Sequence, residues 1–264
     1  MASPGNLYEW VESLPEDGRY VFSRTDAKDV TTASDAAIKM TLYRLKCSGA
    51  IVRPRRDFFV VVPREYRSAG SPPASWFIDD LMRHLGRRYY VALLSAAALY
   101  GAGHQQPMAF QVIVDSAERD IVVGRVRLEF HVSKLIEGAA IERIRTETGS
   151  MVVSTPETTA FDLVRFPMAC GYWSNIATIL SELAEKLDAD KLAAGVARVA
   201  RSDTQRLGWL LDFVGESELA NELAEALEGK RLLPTPLSTA LASANAPLDP
   251  RWRILVNDDM ELDS

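Results

Sequence analysis

The chain has 264 residues, of which 47% are apolar, and its formal net charge at pH 7 is −6. This length is generous for one domain and sufficient for two domains that each bury a core. The negative charge argues against a protein that coats nucleic acid by bulk attraction, and two cysteines are too few for a disulfide framework or a zinc site.

The first predicted elements are two short helices with a strand between them. Apolar residues recur at helical spacing over residues 7–14, and Pro15 with Gly18 ends this helix. Tyr20–Phe22 fits a short strand, and Thr25–Val30 fits a second short helix. The pattern predicts a small N-terminal module.

A third helix follows, with Ser34 as its N-cap and Gly49 where a terminating glycine is expected. At about 100° per residue, Ile38, Leu42 and Leu45 share one stripe and should face the core. The N-cap and this stripe predict one amphipathic helix of about four turns.

The opposite face of this helix is unusual, because Met40 and Tyr43 stand where a surface helix normally carries charges. Apolar groups flanked by cations suit a DNA major groove, where they contact thymine methyls while cations reach phosphates or guanine edges. The alternative is a helix that packs on another domain. The predicted DNA-binding residues of this helix are Ser34, Lys39, Met40, Tyr43, Arg44 and Lys46.

A hairpin is predicted next, with Ala50–Val52 and Phe58–Val62 as its strands and Arg53–Asp57 as its charged turn. Pro54 should stiffen this turn, so that Arg53, Arg55 and Arg56 follow one phosphate backbone. Three helices and a small sheet within residues 1–67 predict a winged helix-turn-helix DNA-binding domain, with the hairpin as its wing.

Charge is distributed unevenly along the chain. Residues 28–67 contain nine Lys or Arg and four Asp or Glu, whereas residues 68–264 contain 19 and 27. Basic charge is therefore concentrated at the third helix and the hairpin, and the remainder should bind DNA poorly.

Residues 68–75 are rich in Ser, Gly and Pro and are predicted to be a linker. Residues 76–264 are predicted to form an α+β domain whose strands alternate polar and apolar residues, which favours an antiparallel sheet with one solvated face. A C-terminal helical region should follow, and the capping pair Ser154 and Glu157 is expected to open its first helix. The predicted helices are Ser75–Leu85, Tyr89–Tyr100, Trp173–Leu187, Asp190–Ala200, Thr204–Val214 and Glu218–Leu227, and the predicted strands are Phe110–Val114, Ile121–Val123, Val126–Val132, Ile141–Thr146, Met151–Val153 and Trp252–Val256.

Motifs for catalysis are sparse. A metal-dependent nuclease built from Asp115, Glu129 and Lys134 is one alternative, although Asp is expected in a turn and Glu129 falls on the polar face of its strand. A regulator that senses an effector in an apolar pocket is another. The favoured prediction is a protein that is not an enzyme and requires no metal or cofactor.

The start of the chain, MASPGNLYEW, lacks a basic region followed by an apolar run, so no signal peptide is predicted. No apolar stretch approaches the ~20 residues of a membrane helix. These features predict a cytoplasmic protein that does not contact membranes.

Four segments together resemble the AbiEi family, antitoxins of type IV toxin–antitoxin systems that act in abortive infection, a phage defence. The segments are MTLYRLKCSGAIVRPRRDFFVVVP, YYVALLSAAALYGAGHQQP, VVSTPETTAFDLVRF and RWRILVND. The family's wing carries a small turn residue such as glycine where this chain has Asp57 before its aromatic pair.

The resemblance implies a repressor that binds inverted repeats of double-stranded DNA at the promoter of its own operon. It also implies that the larger domain counteracts a nucleotidyltransferase-like toxin without forming a stable complex with it.

Overall fold

In the computed structural model, residues 6–103 and 107–260 are described, and they form an α+β structure that divides into two units. The first unit comprises residues 6–89, Met108–Val132 and Arg143–Val152. The second comprises residues 90–103, Pro107, Ser133–Glu142 and residues 153–260. The first five residues, on which the expectation of no signal peptide partly rests, lie outside the described residues.

The first unit begins with three helices and a three-stranded antiparallel sheet. Their core contains Val11, Phe22, Leu45 and Ile51, each at most 2% exposed. The order of the strands in this sheet is β1-β3-β2. The elements are α1 (Leu7–Ser13), β1 (Val21–Ser23), α2 (Arg24–Asp29), α3 (Asp35–Cys47), β2 (Ile51–Arg55) and β3 (Phe58–Val61).

The hairpin formed by β2 and β3 has a shorter turn than the sequence predicts. Arg53–Arg55 extend β2, and only Arg56 and Asp57 lie between the strands. Strand β2 accommodates Pro54 because it lies at the sheet edge, where an absent N–H is tolerated, and because its register with β3 shifts between Val52 and Arg55.

A six-stranded sheet has the order β6-β7-β5-β4-β9-β8. The prediction of an antiparallel sheet is confirmed for β6 and β7, which pair antiparallel. It is wrong for two other pairs, because β5 pairs with β7 and β4 pairs with β9 in parallel, so the sheet is mixed. Alternating polarity reports a solvated face but not the strand direction, which depends on how the connections run. The strands are β4 (Tyr89–Val91), β5 (Phe110–Val114), β6 (Ile121–Val123), β7 (Val126–Val132), β8 (Ile141–Thr146) and β9 (Gly149–Ser154).

The segment 68–75, predicted as a linker, is packed within the first unit. Ser71 is buried, and the backbone N–H of Arg125 donates to the Ala69 carbonyl at 2.8 Å. Gly124 has a φ of +55°, and a Cβ there would lie 2.3 Å from that carbonyl and 2.5 Å from the backbone of Gly70. Glycine at 124 thus lets two backbone segments approach more closely than side chains permit.

The remaining helix of the first unit is α4, and the second unit is largely helical. Trp252 is buried, with its ring against Gly208 of α9, where a Cβ would lie 2.2 Å from the ring. The predicted strand Trp252–Val256 is confined to Ile254 and Leu255, which pair in parallel with Thr235 and Pro236. The elements are α4 (Ile78–Leu85), α5 (Leu93–Leu99), α6 (Pro156–Arg165), α7 (Tyr172–Leu183), α8 (Ala189–Gly195), α9 (Arg201–Phe213), α10 (Ser217–Ala226), β10 (Thr235–Pro236) and β11 (Ile254–Leu255).

Two predicted helix starts are wrong. The run from Tyr89 begins as strand β4, in keeping with the strand preference of Tyr and Val, and helix α5 starts only at Leu93. Helix α6 is capped by Thr155, whose side chain accepts the N–H of Thr158 at 3.4 Å. The predicted capping partner Glu157 instead accepts the backbone N–H of Asp188, at the start of α8.

Candidate nucleic-acid interface

Helix α3 is fixed in rotation by its buried side and by its first turn. Ile38, Leu42 and Leu45 are all buried, as the sequence predicts. The side chain of Ser34 accepts the Ala37 N–H at 3.3 Å, which caps the helix. These contacts direct the opposite face of α3 to the solvent.

The exposed face of α3 presents the apolar residues predicted for DNA contact. Met40 is 51% exposed and Tyr43 is 64% exposed. Interaction with the Cys47 side chain raises the pKa of the Tyr43 phenol above its ordinary value. Lys39, Arg44 and Lys46 are exposed on the same helix.

The tip of the hairpin places one guanidinium in the solvent. The Arg56 side chain is 92% exposed, and it is 3.5 Å from the carboxylate of its neighbour Asp57. Asp57 adopts a left-handed conformation with a φ of 59°, which Asp tolerates better than most residues. Arg53 is exposed on β2.

Arg55 points elsewhere, because it contacts the chain that precedes β6. Its guanidinium donates to the Arg119 carbonyl and lies 3.9 Å from Glu118. Glu118 also accepts a hydrogen bond from Arg87 Nε at 3.0 Å. Burial lowers the pKa of Arg55, whose side chain is only 20% exposed. We call Arg55, Arg87, Glu118 and the Arg119 carbonyl the hairpin clasp.

A second contact holds the hairpin tip from α4. His84 Nε2 lies 3.0 Å from the Arg56 carbonyl oxygen, and the His84 ring is 5.2 Å from the Phe58 ring. His84, Arg87 and Glu118 were not predicted as hairpin partners from the sequence. They lie about 30 to 60 residues beyond the hairpin, and no local pattern links them to it.

The residues considered for a nuclease are separated along the sheet. In the parallel register Gln111 lies opposite Glu129, and Asp115 follows four residues after Gln111. At ~3.3 Å per residue this offset amounts to about 13 Å. Glu129 forms an ion pair with Arg127 at 3.0 Å. Among the described residues, no group of three or more His, Cys, Asp or Glu side chains is arranged to hold a metal.

The second unit contains a fully buried polar cluster. The carboxylate of Asp162 accepts hydrogen bonds from Tyr90 Oη at 2.9 Å and from Arg165 at 2.8 Å. Burial raises the pKa of Asp162 to about 6, while Arg165 and Tyr90 oppose the increase. Asp162 thus has two partners, Tyr90 on β4 and Arg165 on its own helix α6.

Comparisons with known proteins concern both the family and the fold. Residues 90–213 match the family model described as the AbiEi antitoxin C-terminal domain. The crystal structure of the RV2827C protein from Mycobacterium tuberculosis is similar, with a TM-score of 0.70 and 17% identity, over 97% of this chain and 91% of that chain. At that identity the likeness concerns the fold alone. No curated protein matches the chain, and no helix in the described part of the chain could span a membrane.

Proposed function

We propose that this chain, whose residues 90–213 match the AbiEi antitoxin C-terminal domain, is an antitoxin that also represses its own operon by binding DNA. The partner DNA is a double-stranded operator with inverted repeats. The second partner is a nucleotidyltransferase-like toxin, opposed without a stable complex, as in type IV systems. We assign DNA binding to residues 1–67 and toxin neutralisation to residues 76–264.

The exposed face of α3 is the observation that supports DNA binding most directly. Exposing the apolar side chains of Met40 and Tyr43 to water is unfavourable. Both nevertheless lie between cations on the exposed face of a helix whose other face is buried. In a winged helix-turn-helix arrangement, α2 and α3 are the paired helices and α3 enters the major groove. Ser34, at the N-terminus of α3, is assigned to a phosphate next to the helix end.

The hairpin supplies the backbone contacts, and its three arginines divide into two roles. Arg53 and Arg56 are exposed and are assigned to phosphates beside the groove. Arg55 is assigned to the hairpin clasp, where it holds the wing in place. This division replaces the expectation that all three guanidiniums follow one phosphate backbone.

The groove assignment is tested by fluorescence anisotropy with DNA from upstream of the chain's own reading frame. The double variant Met40→Ala and Tyr43→Ala should weaken operator binding at least about tenfold, since burying a large apolar side chain is worth ~1.5–3 kcal/mol. Binding to random DNA should change much less. The matched control is Met168→Ala with Tyr172→Ala, which removes an equally exposed methionine and tyrosine from the second unit. Equal operator affinity for the two double variants would disprove the assignment.

The antitoxin half is tested by growth rescue. Expression of the full chain should restore growth to cells that produce the toxin encoded beside it, and affinity purification should recover no toxin with the antitoxin. We expect the variant of Met40 and Tyr43 to rescue growth as well as the natural chain, because neutralisation is assigned to residues 76–264. Loss of rescue by that folded variant would contradict the separation of the two activities.

A further inference from the structure

A cavity of about 170 Å³ lies entirely within the second unit, and no part of the proposed function uses it. It is bounded by one face of α6, by α8 with the turn that follows it, and by residues 135–140. Its size is comparable to the ~150 Å³ apolar cavity that accommodates a benzene molecule in an engineered protein. The space is therefore large enough for one aromatic ring or a short alkyl chain.

The walls of the cavity are apolar and formed largely by small residues. Phe161, Leu135 and Val199 are the larger apolar residues of the lining, and Ala139, Ala140 and Ala194 leave the space between them open. Phe161 is held in position by Gly195, where a Cβ would lie 2.6 Å from the ring. Apolar walls of this kind favour a hydrophobic group over water.

The polar groups at the inner end already have partners within the protein. Both oxygens of Asp162 accept hydrogen bonds, from Tyr90 at 2.9 Å and from Arg165 at 2.8 Å. Arg165 also donates to Ser133 Oγ at 3.1 Å. A ligand gains little by adding a polar atom there, so its buried end should be apolar.

The open side of the cavity is cationic. Arg198 and Lys191 line the cavity and are exposed to solvent. Lys191 is 3.7 Å from Asp188, whereas Arg198 has no ion-pair partner in the part of the chain that the structure describes. The remaining acidic side chain of the lining, Glu157, is buried and accepts the backbone N–H of Asp188 at 3.1 Å. An anionic group at the mouth would therefore meet a guanidinium that is free to pair with it.

We propose that this cavity binds a small hydrophobic monocarboxylate, with its aryl or short alkyl group between α6 and α8 and its carboxylate on Arg198. The apolar walls select the body of the ligand, and the free guanidinium selects its charge. This site is independent of the DNA-binding assignment, because its lining belongs to the second unit.

Isothermal titration calorimetry of the full chain tests the proposal with benzoate and its neutral counterpart benzyl alcohol. Benzoate should bind with a dissociation constant about fivefold lower than benzyl alcohol, as expected for one exposed charge pair. Arg198→Met should abolish this difference and leave benzyl alcohol binding unchanged. The control Arg231→Met removes an equally exposed arginine away from the cavity and should retain the preference.

A second variant tests the location of the hydrophobic group. Ala194→Phe should fill the space and abolish binding of both compounds, and Ala139→Leu serves the same purpose if the first variant does not fold. Failure of benzoate to bind the natural chain saturably would overturn the proposal. The same conclusion follows if benzoate binds equally well to the filled variants, or if Arg198→Met keeps the full preference for the carboxylate.

Discussion

Arg55 and Arg56 are neighbours in sequence, but their side chains are 20% and 92% exposed, and alanine substitutions should separate their roles. Arg56→Ala removes one proposed phosphate contact, so the slope of log K against log[salt] should become less negative by about 0.9. Over a fourfold change in salt, from about 50 to about 200 mM, the affinity gap between natural chain and variant should then narrow about 3.5-fold. Arg55→Ala should leave the slope unchanged.

The cost of Arg55→Ala should appear in stability instead. The substitution removes a charge-assisted bond to the Arg119 carbonyl and the ion pair with Glu118, but Glu118 keeps Arg87. The free energy of unfolding should therefore fall by about 1–2 kcal/mol.

Anisotropy titrations across a salt series measure the slope, and urea denaturation measures the stability. Arg145→Ala is the charge-matched control, since Arg145 is exposed on β8, and it should alter neither quantity. An unchanged slope for Arg56→Ala, or a slope reduced by a full unit for Arg55→Ala, would refute this division of roles.

Three further substitutions test the backbone and the buried cluster. Gly124→Ala should lower the free energy of unfolding, measured in urea, by at least about 2 kcal/mol, because the added Cβ would collide with the Ala69 carbonyl. The control Gly49→Ala also has a positive φ, but its Cβ would have no neighbour within 4 Å, so it should cost only about 1 kcal/mol. Asp57→Gly should be neutral or stabilise by up to about 1 kcal/mol, since it relieves a positive φ, and a clear loss in urea would show that the aspartate side chain stabilises the turn. The folded-state pKa of Asp162 is about 6 against a reference of 3.8, so its protonation stabilises the fold fully below pH 3.8 and this contribution is lost as the pH rises through about 6. The stability of the natural chain relative to Asp162→Asn should therefore decrease by on the order of 3 kcal/mol from pH 3.5 to pH 7, and a pH-independent difference would show that Asp162 is not the titrating group.

Strands and helix faces were the features best predicted from the sequence. Four strands of the six-stranded sheet have the predicted bounds, including Val126–Val132, because alternation with period two is a local property of the chain. The buried stripe Ile38, Leu42 and Leu45 was equally local. Strand direction was not predictable, because β5 pairs with β7 and not with β6, the strand that lies between them in the sequence.

The candidate site was also predictable only in part, because only its local features follow from the sequence pattern. The exposure of Met40 and Tyr43 follows from helical periodicity within α3. The separate role of Arg55 depends on Glu118, 63 positions later in the sequence, and a basic cluster gives no sign that one of its arginines pairs within the protein. The composition of residues 68–75 suggested a linker, whereas Gly70 and Gly124 allow close backbone packing.

The hairpin clasp also has a consequence for the order of synthesis. The proposed reading helix and wing leave the ribosome early, but Glu118 and strands β5 to β9 follow up to residue 154. At about 5–20 residues per second, the interval from the end of β3 to Arg119, which completes the hairpin clasp, lasts roughly 3 to 12 s. During that interval the wing lacks the contacts that hold it, and a nascent chain stalled before residue 118 carries its arginines without the clasp. Under the proposed function, full operator affinity would therefore require synthesis to continue at least to residue 119, well into the segment assigned to toxin neutralisation.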